Sequence, residues 1–138
     1  MEHHNPAGYR EIDHTADWEL AVWADSIPEL FRQSALGMYA LSGMTVGQTA
    51  RQPQTFALEA GSLESLLVKF LNELLYLGEA QQIAAVEMAV SLSENALTAE
   101  LAVAPILSQT KEIKAVTYHK LSIRQEGESF RVNIIFDV

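Results

Sequence analysis

The sequence of 138 residues contains no cysteine. That excludes disulfide scaffolds, cysteine-ligated zinc and iron–sulfur sites, and thiol nucleophiles together. Cations are scarce: nine Lys and Arg stand against eighteen Asp and Glu, for a formal net charge of −9. Affinity for nucleic acid comes largely from cations that displace counterions around phosphates, so direct binding of RNA or DNA is not expected. No apolar run approaches the roughly 18 residues of a spanning helix, and Met1 to Gly8 lacks the basic and apolar regions of a signal peptide. The expectation is a cytoplasmic protein with no membrane partner. A serine in a nucleophile elbow, a glycine-rich phosphate loop and an H-E-x-x-H helix are all missing, which leaves no signature of a stand-alone enzyme.

What remains is 49% hydrophobic and about the length of one domain. Two helices are predicted. Ser26 and Glu29 form an S-x-x-E start signal with Pro28 in the first turn, followed by Leu30, Phe31, Ala35, Met38 and Leu41 at helical spacing up to Gly43. Ser62 opens the second, whose stripe of Leu63, Leu66, Leu67, Phe70, Leu71, Leu74 and Leu77 is read as core, with Gly78 as its stop. The rest alternates with period two: Trp18, Leu20 and Val22; Phe56 and Leu58; Val86, Met88, Val90 and Leu92; Leu97 to Val103, ending at Pro105. A last hairpin pairs Leu121 and Ile123 with Phe130 to Phe136 across Gln125 to Glu128. The predicted class is α+β, one domain over residues 1–138 with two helices packed on a mostly antiparallel sheet.

Only four of the acids are aspartates: Asp13, Asp17, Asp25 and Asp137. Asp25 is accounted for as negative charge ahead of the first helix. Parity sets Asp17 and Asp137 on the strand faces opposite their apolar neighbours. If the terminal strands share a sheet, Asp17, Asp137 and the carboxylate of Val138 converge and repel. A hard divalent cation with oxygen ligands would neutralise them and keep positions open to water or a partner. Solvated strand-end acids are the other reading of the same residues. Lys114 stands at a strand start, where it can hold a phosphate or carboxylate; on the residues alone, a plain mixed-face strand is the preferred reading of the segment. His14 and His119 sit among hydroxyl residues and read either as structural hydrogen-bonding groups or as bases.

Asp13-His14-Thr15-Ala16-Asp17, the run Lys114-Ala115-Val116-Thr117-Tyr118-His119 and the ending Phe136-Asp137-Val138 together resemble the archease family, over the whole chain. Trp18-Glu19-Leu20 and Lys120 depart from the usual family pattern without touching the acids. The resemblance implies a protein cofactor of the RtcB-type RNA ligase of transfer-RNA splicing and RNA repair, promoting guanylylation of the ligase and multiple turnover. It implies a divalent metal, calcium with manganese or magnesium as alternatives, held by Asp17, Asp137 and Val138. Lys114 matches the family's functional lysine. Asp13, His14 and His119 are the supporting candidates. Two other classes stay open on the residues alone: a small metal-dependent hydrolase, and a chaperone-like protein-binding module.

Overall fold

The computed structural model describes residues 6–13, 17–48 and 51–138. The order is β1 (Gly8–Ile12), β2 (Trp18–Ala24), α1 (Ile27–Ser42), β3 (Thr45–Val46), β4 (Gln52–Glu59), α2 (Leu63–Gln81), β5 (Ile83–Ser93), β6 (Ala96–Ser108), β7 (Ala115–Val116), β8 (Arg124–Glu126) and β9 (Ser129–Asp137). One sheet runs β1-β2-β9-β7, with β8 also paired to β9; a second is built around β6, which pairs with β3, β4 and β5. Every pairing is antiparallel.

The helices start where the sequence predicts. Ser26 accepts the Glu29 N–H at 3.3 Å, and Ser62 accepts that of Ser65 at 3.1 Å, each satisfying a donor the helix leaves orphaned. The Glu29 carboxylate accepts instead from Arg32 at 3.0 Å and Gln33 at 2.7 Å, so half of the expected capping box forms. Gly43 ends α1 in the left-handed conformation, φ 63°. The predicted stop of α2 is corrected: Gly78 lies inside the helix, and Gln82 takes the left-handed cap with its N–H on the Gly78 carbonyl at 3.0 Å.

Strand limits shift for similarly local reasons. β6 passes through Pro105 to Ser108, because Pro105 falls between the end of the β4 pairing at Val103 and the start of the β3 pairing at Ile106. A missing N–H interrupts no ladder there. The C-terminal hairpin is shorter than predicted. Leu121 and Ile123 precede β8, and the turn is Gly127-Glu128, with Gly127 at φ 66°. In β5 a bulge falls between Ala85 and Glu87, and the Ala85 N–H donates to the Tyr39 hydroxyl at 3.2 Å.

Both helices bridge the sheets: α1 touches β1, β2 and β9 on one side and β5 on the other, while α2 touches β4, β5, β6 and β7. Leu20, Val22, Val132, Ile134 and Phe136 from the first sheet and Leu97, Ala99 and Leu101 from the second share one core with the helix stripes. Phe31, Phe70 and Phe56 link α1, α2 and β4, with ring centroids 5.8 and 6.1 Å apart. Among the described residues no helix is long and apolar enough to cross a membrane.

Candidate functional site

The β2–β9 register runs from Ala24↔Phe130 to Trp18↔Phe136. The ladder ends there: Asp17 is the residue before β2 and Asp137 the last of β9, both exposed, and Asp137 alternates with the buried Phe136, on the face away from the helices. The core-side positions of the same pair, Leu20 with Ile134 and Val22 with Val132, are fully buried and fix this register against a one-residue slip. On the outer face, Asn133 donates to the Glu19 carboxylate at 2.8 Å.

The other side of β9 carries β7, where Ala115 pairs with Asp137. The Lys114 N–H donates to the Asp137 carbonyl at 2.8 Å, so Lys114 stands alongside Val138. β7 is held further by Thr117, whose N–H and hydroxyl both donate to the Ile135 carbonyl at 3.1 Å, and by Asn72 of α2, which accepts the Val116 N–H at 3.0 Å. Asp13 follows the last residue of β1, and Ile12 pairs with Glu19. The end of β1, the start of β2, the end of β9 and the start of β7 therefore coincide. Asp13, Asp17, Asp137 with Val138, and Lys114 are all brought to one end of one sheet.

His119 is not part of this strand-end row. It lies in an exposed turn after β7, its N–H on the Thr117 hydroxyl at 3.3 Å, and Leu121 closes the turn onto the Tyr118 carbonyl at 3.1 Å. His14 lies outside the described residues. Among the described residues, no three His, Cys, Asp or Glu side chains gather into a metal cage. The ligand set expected from the sequence is of another kind: two aspartates and a main-chain carboxylate.

Two features escaped the sequence. Lys111 holds its ammonium 5.8 Å from the ring of Trp18, the residue beside Asp17, so a second cation stands at this end of the sheet. Its loop is anchored by the Thr110 and Lys111 N–H groups on the Ser42 carbonyl, at 2.8 and 3.1 Å. No spacing rule relates residues 18 and 111, so only the tertiary structure reveals the pair. The second feature is a cavity of about 560 Å³ beside the C-terminal turns of both helices, with Lys114 in its lining.

The model of the archease protein family (MTH1598/TM1083) matches residues 9–138. The chain belongs to the archease family. Protein archease of Methanosarcina barkeri is 32% identical over 143 residues, which cover 94% of this chain and 95% of the relative. Protein archease-like of Drosophila melanogaster is 33% identical over 145 residues, covering 94% and 90%. The crystal structure of an archease and possible chaperone of Thermotoga maritima superposes with a TM-score of 0.70 at 21% identity, over 99% of this chain and all of that one. The solution structure of Methanobacterium thermoautotrophicum protein 1598 gives 0.69 at 22%, over 95% and 99%. At these identities the two structures establish the archease fold: α+β, two helices with antiparallel sheets.

Proposed function

We propose that this archease-family chain is a protein cofactor of an RtcB-type RNA ligase, promoting guanylylation of the ligase and its multiple turnover rather than catalysing a reaction alone. The β2–β9 register supports the reading, because its last pair, Trp18↔Phe136, leaves Asp17 and Asp137 next to the end of the ladder, with the terminal carboxylate one residue further. Acid groups gathered at one place repel. A divalent cation relieves that repulsion, and carboxylate oxygens are the donors that calcium, manganese and magnesium prefer.

Asp17, Asp137 and the Val138 carboxylate would hold the ion, with Asp13 on the neighbouring strand end as a supporting acid. Bound there, the ion supplies positive charge that bridges phosphate oxygens. Lys114, alongside the chain end, adds a cation for the same phosphates. Three protein donors leave the ion's remaining positions to water or to the partner. An RNA ligase carries cations for its substrate's phosphates, and a chain of net charge −9 is complementary to such a surface.

The test is ligase guanylylation with and without the chain. Asp137→Asn, a two-residue extension beyond Val138, and a chelator should each reduce stimulation by about 10–100-fold, the range typical of disturbed metal sites. Circular dichroism should show the fold intact in both variants. Full stimulation by the extended chain removes the terminal carboxylate from the ligand set, and full stimulation by Asp137→Asn removes the metal-holding sheet end altogether.

A further inference from the structure

We infer that the cavity beside the helix C-termini is a docking pocket for a basic side chain, lysine or arginine, on a protein partner. The identity of that partner rests on the ligase reading above; the chemistry of the pocket does not. Met38, Met44, Leu74, Leu75, Ile106 and Ile113 give the cavity apolar walls. Glu79 and Glu112 also line it, and both are exposed at its surface. The last turns of α1 and α2 contribute Tyr39 and Ser42, and Gly78 and Glu79, so the negative ends of two helix dipoles meet at one place. Neither last turn carries a basic residue to offset them. Lys114 is the one cation among the lining residues.

Apolar walls below an acidic mouth match a side chain with a methylene stem and a cationic head. The flexible thioethers of Met38 and Met44 adapt to such a stem. A second copy of this chain is a poor occupant, since it too carries −9. An RNA-binding enzyme has basic side chains to present. Lys114, which joins the cavity to the end of β9, would let such a partner engage both regions at once.

Two linked measurements decide it. In the intact chain with 13C-methyl methionine, acetyl-arginine methylamide at millimolar concentration should shift the Met38 and Met44 methyl signals and leave Met88 unmoved. The uncharged norleucine and the acidic glutamate analogues should do neither. Glu79→Lys with Glu112→Lys, and separately Gly78→Leu to fill the space, should abolish the shifts; a Cβ at Gly78 comes no closer than 3.5 Å to Ile106, so the backbone tolerates it. In calorimetric titration against the RtcB-type ligase, both variants should weaken binding at least about tenfold, the range of one lost charge pair. Stimulation should recover at saturating concentration, whereas Asp137→Asn loses it at every concentration. Absent methyl shifts overturn the pocket whatever the ligase does. Shifts with unchanged ligase affinity overturn the assigned partner, and a dimer that disappears in the variants would assign the cavity to self-association instead. Full stimulation by Asp137→Asn removes the metal-holding sheet end without touching the pocket.

Discussion

Tyr39 shows how a single side chain satisfies a strand's outward-facing donor. β5 pairs with β6 alone, and next to its bulge the Ala85 N–H donates to the phenol oxygen at 3.2 Å. Burial pushes the Tyr39 hydroxyl from its ordinary value of 10 up to about 12, a rise that the Ala85 hydrogen bond partly opposes. The neutral phenol is thus the form the fold favours. Its contribution is complete below pH 10 and falls by about 1.4 kcal/mol per pH unit between 10 and 12, where the unfolded chain has lost the proton and the folded one keeps it. Tyr39→Phe should cost about 1–3 kcal/mol at neutral pH by orphaning the Ala85 N–H. It should also flatten the alkaline decline. Urea midpoints at pH 8 and pH 11 for both proteins check the two effects, and equal slopes would contradict the second.

At the level of elements, the seating of α1 on the first sheet is set by Gly37. A Cβ there would run into Leu20 Cδ2 and come within 2.9 Å of the Tyr9 ring, both fixed by β1 and β2. Gly37→Ala should therefore destabilise by about 1–3 kcal/mol, although alanine in a free helix would gain about 1 kcal/mol over glycine. Gly61 is the control. Nothing lies within 4 Å of its would-be Cβ, and Gly61→Ala should be neutral or stabilising by up to about 1 kcal/mol. Guanidinium unfolding of the two variants separates packing from propensity. Helix starts were legible because Ser26 and Ser62 act on donors three residues away. The end of α2 was not, since Gly78 has the composition of a stop but no need of positive φ. Pro105 misled in the same way: its effect on a strand depends on which neighbour needs the N–H, and that is tertiary information.

For the molecule as a whole, the decisive event is the pairing of the first long strand with the last, which brings the start of β2 and the end of β9 to one sheet end. The aspartates and Lys114 were recognisable as residue types, and parity gave the face of the acids. That β2 pairs with β9 in the register that ends at Trp18↔Phe136 was not recoverable from spacing, because it depends on burial of Leu20 against Ile134 across the whole chain. The cavity was invisible for the same reason, its lining coming from both helices, β6 and the loop before β7. If this sheet end holds a cation, the ion clamps the first long strand to the last, and it should stabilise the entire fold rather than one loop. At a hundredfold excess over its dissociation constant the gain is about 2.7 kcal/mol, by binding the folded state alone. For a domain of this size that raises the thermal midpoint by several degrees, on the order of 5 °C or more. Calcium titrated at constant ionic strength should produce the rise, with sodium chloride as the control for screening of the −9 charge. Asp17→Asn and Asp137→Asn should each abolish it. A midpoint indifferent to calcium, manganese and magnesium, together with aspartate variants that respond like the parent, would mean that these acids are solvated strand ends and hold no ion.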